Sequence, residues 1–176
     1  QLAQAIAHIH ASGFLHLDIK ANNIILDVTG VQPLTRLTDF DLSLSIHGLK
    51  PDKGLRYGTF NYMAPEHLTI GQIGPESDIF AYGVVAYNLF TTRMPYKGDT
   101  AVDSRKSKTD PHYKIPPIAD FYPGINPDLN DCIMRALSPR TEVRYGAMKL
   151  LVRDLCEIIG PDTIRAYDLT SSSSII

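Results

Sequence analysis

Apolar and polar positions along the chain fall into segments of different period. Leu2, Ile6 and Ile9 recur at helical spacing with alanines between them, which predicts a helix over residues 2 to 11, closed by Gly13. "NNIILDVTG" followed by "LTRLTDFDL" predicts two short strands joined by a turn near Thr29 and Gly30. Residues 43 to 60 scatter glycine, proline and charge and predict an extended loop. The run "IFAYGVVAYNLF", Ile79 to Phe90, is apolar almost throughout and predicts a buried helix reaching about Thr91, with Asp78 as its N-cap. Residues 93 to 127 hold six of the 12 prolines and predict irregular structure. Two amphipathic helices follow, at roughly 128 to 137 and 146 to 159. The order predicts a mainly α fold with a small β-hairpin, built as one lobe over residues 1 to 160, with 161 to 176 as a tail or linker.

Composition narrows the partners. The 176 residues are 44 % hydrophobic, enough for one domain with a core. A formal net charge of −2 gives no electrostatic reason to expect nucleic acid or an acidic membrane surface. The basic run Arg105-Lys106-Ser107-Lys108 is read as a solvated loop. Cys132 and Cys156 lie in apolar, helix-like segments with no CxxC or His/Cys cluster, so they read as buried free thiols rather than a zinc site. The longest apolar run falls short of the about 18 residues a membrane span requires. The chain starts with Gln1 inside a predicted helix and ends in "SSSSII", so it reads as a piece of a longer protein.

One stretch does not fit a core. In "GFLHLDIKANNIILD", Asp18, Lys20, Asn22 and Asn23 sit between two apolar runs, where unpaired burial would be costly. The pattern His16-x-Asp18-x-Lys20-x-x-Asn23 resembles the catalytic loop of protein kinases. Sixteen residues past Asn23, Asp39-Phe40-Asp41 resembles the metal-binding Asp-Phe-Gly motif. Gly58-Thr59 and Ala64-Pro65-Glu66 are similar to the end of the kinase activation segment. Ser77-Asp78 and Gly83 match the start of the family's buried helix, and Arg144 stands where the family keeps a late arginine. Single matches of this kind are weak. Five elements in the right order and at the right separations are specific, and they cover residues 1 to about 160.

The resemblance implies the C-terminal lobe of a eukaryotic-type serine/threonine protein kinase, whose parent fold is α+β with two lobes. It implies ATP and Mg²⁺ as cofactors and a protein substrate. Asp18 would orient the proton of the attacking hydroxyl, and Lys20 would offset charge on the transferred phosphate. Asn23 and Asp39 would supply hard oxygen ligands to the metal. Ile25 would form an apolar floor under adenine, a role compatible with plain core packing. Thr59 would help form the hydroxyl pocket, and Lys20 with Thr59 is similar to the serine/threonine rather than the tyrosine branch. The residue before Asn23 is Asn22 rather than an acid, so one determinant of preference for basic peptides is missing. His16 reads as a packed structural histidine, and Glu66 with Arg144 as a buried ion pair. The resemblance implies a cytoplasmic lobe and leaves open membrane attachment of a longer protein.

Three departures qualify this. Leu17 replaces the arginine that contacts a phosphorylated activation loop, which implies activity independent of phosphorylation at positions such as Ser45 or Tyr57. Asp41 replaces the glycine of Asp-Phe-Gly, restricting the motif's backbone and adding charge beside Asp39. The chain contains no Gly-x-Gly-x-x-Gly, no Val-Ala-Ile-Lys and no partner glutamate, so by itself it is expected to be inactive. The competing readings are a pseudokinase binding module and a small-molecule phosphotransferase of the aminoglycoside or choline kinase type. The second shares His-x-Asp and an Asp-x-Asp-like metal motif but does not need Ala64-Pro65-Glu66.

Overall fold

A computed structural model describes residues 1–30, 33–48, 59–70, 72–98 and 100–160. Gly58, Tyr57 and the segment 161 to 176, all named above, lie outside the described residues. Six helices are described: α1 (Leu2–Ala11), α2 (Pro65–Ile70), α3 (Pro75–Thr91), α4 (Ala101–Thr109), α5 (Pro127–Ala136) and α6 (Met148–Ile159). Four short strands pair in twos. β1 (Phe14–Leu15) runs antiparallel to β4 (Leu44–Ser45), and β2 (Ile24–Asp27) antiparallel to β3 (Leu34–Leu37). The mainly helical lobe with its small hairpin is the architecture the sequence pattern predicts.

α3 is the axis of the core. Its Ile79 packs in one apolar cluster with Ile6 of α1, Ile19, Tyr145, and Met148 and Leu151 of α6. Its Phe80, Val84 and Tyr87 pack in a second with Tyr96, Ile118, Ile133 of α5 and Leu137. A helix serving two clusters must be apolar on most of its circumference, which is why residues 79 to 90 read as a continuous run. Gly83 permits a close approach of the end of α5: a Cβ there would lie 3.1 Å from Leu137 Cγ and 3.2 Å from Leu137 N. α1 ends at Ser12, and Gly13 follows with φ +85° before the chain enters β1.

Three expectations need correction. α3 begins four residues before Ile79, with Gly74 rather than Asp78 at its N-cap and proline in its first turn. Asp78 is drawn inward to a different task, described below. The proline-rich stretch 93 to 127 is not all irregular, for it contains α4, capped by the Thr100 hydroxyl accepting from Asp103 N–H. The run Arg105-Lys106-Ser107-Lys108 is therefore helical, and Lys108 is buried at 1 % exposure. The buried face of α4 carries Ser104 and Lys108, so no apolar period marked it as a helix. Of the two thiols, Cys132 is buried and Cys156 only partly so.

Candidate active site

The site is built on the turn between β1 and β2. Leu17 holds a backbone φ of +65°, a conformation rare for a branched residue and one that needs outside support. Asp78 supplies it. Its Oδ2 accepts from His16 N–H and its Oδ1 from Leu17 N–H, both at 2.8 Å, across more than 60 residues of chain. His10 Nε2 of α1 lies 2.8 Å from the same Oδ2. One buried carboxylate thus fixes the backbone immediately before Asp18. This is the function that displaced Asp78 from the capping role.

Four of the anticipated side chains meet at one point, Asp18, Lys20 and Asn23 from this turn and Thr59 from a segment 41 residues on. Lys20 Nζ donates to Asp18 Oδ2 at 2.6 Å. Asn23 Nδ2 donates to Asp18 O at 2.8 Å and to Asp18 Oδ2 at 3.1 Å. Thr59 donates to Asp18 Oδ1 through its N–H at 3.3 Å and its hydroxyl at 3.4 Å. Asp18 and Asn23 are buried and Lys20 is half-buried. Because both amide hydrogens of Asn23 are turned toward Asp18, its amide oxygen is left as a hard ligand.

Asp39 reaches the site by a different route. The β2–β3 ladder pairs Ile24 with Leu37, and Thr38 N–H extends it by donating to Asn23 O at 2.9 Å. Asp39 follows directly, exposed, with φ +65°. Its carboxylate makes no hydrogen bond with the Asp18 cluster among the described residues. Phe40 packs on His16 with ring centroids 4.9 Å apart. His16 is buried, with its Nε2 3.1 Å from Thr38 O and its Nδ1 accepting from Asp18 N–H at 3.3 Å. Its partners are backbone groups, as a packed structural histidine requires. Ile25 is 51 % exposed on β2, cross-strand from Arg36.

Carboxylate and amide oxygens are the donor set a Mg²⁺ ion takes, and Asn23, just before β2, and Asp39, just after β3, offer one of each. Among the described residues no three His, Cys, Asp or Glu side chains gather as a metal cluster.

Beyond Thr59 the chain is tied down at a second point. Arg144 pairs with Glu66 through two parallel contacts of 2.8 Å, and its guanidinium is fully buried. Sequence reasoning anticipated this pair but missed Lys108. That lysine donates to Phe60 O at 2.7 Å, Asn61 O at 3.0 Å and Met63 O at 2.8 Å. A lysine in a basic run is indistinguishable by type from its solvated neighbours, and only the helical phase of α4 separates it from them. His10 was likewise missed, since nothing in α1 marks it apart from His8.

Comparison with known proteins agrees with this geometry. The protein kinase domain profile matches residues 1–155. The chain is 32% identical over 152 residues to the serine/threonine-protein kinase Pkn1 of Myxococcus xanthus, an alignment covering 84% of this chain and 22% of that protein. It is 30% identical over 146 residues to the serine/threonine-protein kinase PknA of Mycobacterium tuberculosis, covering 82% of this chain and 32% of that protein. PknL of Mycobacterium tuberculosis is 27% identical over 151 residues, 85% of this chain and 37% of its own length. The chain therefore spans roughly a fifth to a third of these relatives. With a profile match over most of its length, the chain belongs to the protein kinase domain family.

Proposed function

We propose that this chain is the substrate-side lobe of a kinase that transfers the γ-phosphoryl group of ATP to serine or threonine hydroxyls of proteins. The observation that carries the reading is the Asp18 cluster: one carboxylate, held by Asn23 and Thr59 and salt-bridged to Lys20 at 2.6 Å. A carboxylate so placed accepts a hydrogen bond from the incoming hydroxyl and aims its oxygen at phosphorus. The Lys20 ammonium is positioned to balance charge on the phosphoryl oxygens as the hydroxyl attacks. Thr59 fixes the carboxylate's second oxygen, so that only one orientation is open to the substrate. Asn23 and Asp39 would hold Mg²⁺, which when bound neutralises phosphate charge. Ile25, exposed on β2, would meet the adenine ring as an apolar surface. ATP is an intracellular co-substrate, and on that ground we propose a cytoplasmic location for this lobe.

The test is phosphorylation of a degenerate serine/threonine peptide library by the full-length protein with ATP and Mg²⁺. Asp18→Asn keeps the shape and removes the charge. Its kcat should fall by about 10²–10⁴. Equal activity of wild type and Asp18→Asn would refute the reading. A wild type that binds ATP without transferring phosphate would make the chain a binding module. Transfer to small alcohols but not peptides would place it with the small-molecule phosphotransferases.

A further inference from the structure

Lys108 is the feature the proposed chemistry leaves unused. Its side chain is among the largest fully buried ones in the molecule. A buried ammonium is expensive unless every N–H finds a partner. Here the count matches: three N–H groups meet three carbonyl oxygens, those of Phe60, Asn61 and Met63, at 2.7, 3.0 and 2.8 Å. The rings of Phe80 and Tyr96 lie 5.5 and 5.9 Å from Nζ and add a favourable face to the charge. An apolar side chain would leave all three carbonyls without a donor.

All three acceptors belong to one short segment, and its position gives the contact meaning. Segment 60–63 runs from Thr59, which is hydrogen-bonded to Asp18, to Ala64-Pro65-Glu66, which is fixed by Arg144. Its two ends are therefore anchored to the site and to the core. Between them Tyr62 packs on the two apolar clusters, while the carbonyls of the segment are taken up from α4, by Lys108 and by a weaker contact of the Ser104 hydroxyl with Phe60 O at 3.4 Å. Phe60 and Met63 also face α4 across a groove of about 520 Å³. A protein substrate whose hydroxyl reaches Asp18 must lay its neighbouring residues along this segment.

We infer that Lys108 is a positioning residue for substrate: from α4 it fastens the backbone of residues 60–63 in the shape against which a protein substrate docks. The inference rests on the kinase reading for its effect on turnover, and on geometry alone for its effect on the segment. Lys108 touches neither the phosphate nor the reacting hydroxyl.

The experiment uses the full-length protein with Lys108→Met, which keeps length and apolar stem, and Lys108→Gln, which keeps two N–H donors. Substrates are ATP and the best-turned-over serine/threonine peptide from a degenerate library. Lys108→Met should raise peptide KM about tenfold or more, with ATP KM and peptide-independent ATP hydrolysis within about twofold of wild type. Lys108→Gln should fall between the two. Amide hydrogen exchange should quicken in residues 60–64 of Lys108→Met while α3 and α6 stay protected.

Unchanged exchange in 60–64, or peptide KM unchanged in a folded variant, overturns the inference. So does loss of fold in both variants, or an equal fall in every kinetic constant, since either makes Lys108 a packing residue. If the wild type phosphorylates no peptide, the kinase reading fails. The exchange comparison then decides by itself whether Lys108 holds the segment.

Discussion

At the scale of single residues, two buried charges organise the molecule, and each shows what a residue's type conveys and what only its surroundings can. Asp78 was legible as a helix-start residue because Asp favours such places. Its actual work is long-range. It holds the amides of His16 and Leu17, so that a leucine can occupy a left-handed turn ahead of Asp18. Lys108 was illegible, because α4 offers no apolar stripe to give its phase. Burial pulls the Lys108 ammonium from its ordinary 10.5 to about 7, against the opposing pull of the Glu66 carboxylate. Among the groups packed about it, Arg144 shares the Phe80 ring, and burial holds the Tyr96 phenol above its ordinary value, so it stays neutral in mild alkali. Unfolded, Lys108 keeps its proton to about pH 10.4. Between pH 7 and about 10 the unfolded state therefore binds the more protons, and stability rises with pH across that window. The cost of charging Lys108 is present in full below pH 7 and fades above it. Comparison with Lys108→Met isolates this contribution. The difference in melting temperature between the two proteins should move in favour of wild type as pH goes from 7 to 10. Parallel pH profiles would show that Lys108 does not titrate in the window.

At the scale of elements, periodicity found the helices whose buried face is apolar. α1, α5 and α6 announce themselves through isoleucine and leucine at three- and four-residue spacing, and α3 through sheer apolar length. α2, with only six residues, is held by its surroundings more than by its own pattern. Its anchor is Glu66, joined to Arg144 in the loop before α6. Arg144 also donates to Ser138 O, Pro139 O and Glu76 O, so one guanidinium ties the loop after α5 and the start of α3 to α2. Ser77 of α3 adds a contact of 3.3 Å to Glu66 Oε1. Removing one partner strands the other's charge in the interior, while removing both does not. Arg144→Met alone should destabilise the protein by about 3–5 kcal/mol. The double variant Glu66→Met with Arg144→Met should recover part of that loss, though not all, because the carbonyls of Ser138, Pro139 and Glu76 still lack their donor. Denaturant unfolding of the two singles and the double measures it. A double variant that loses the sum of the singles would show that the two side chains act independently.

At the scale of the whole molecule, the motif order was legible before any geometry, because phosphoryl transfer needs a carboxylate, a cation and metal-binding oxygens at set separations. What motif order could not convey is how incomplete the resulting surface is. The hairpin turns Ile25, Leu26 and Val28 outward at 51 %, 59 % and 65 % exposure, with Phe40 beside it at 48 %. Such apolar exposure next to a polar cluster is the kind of surface at which another body docks. The sequence holds no glycine-rich loop to cradle a triphosphate. Within the described site, Lys20 is drawn to Asp18, and the nearby Asn23 and Asp39 offer oxygens rather than cations. A triphosphate carries several negative charges, and Lys20, already paired with Asp18, and Arg36, paired with Asp27, balance only part of them. The 176-residue chain prepared alone should therefore show no ATP turnover above the Asp18→Asn background, with or without peptide. It should also bind an apolar dye more strongly than the full-length protein does. ATP turnover by the chain alone would mean that the residues described here suffice for nucleotide binding. It would move the whole of the chemistry onto this lobe.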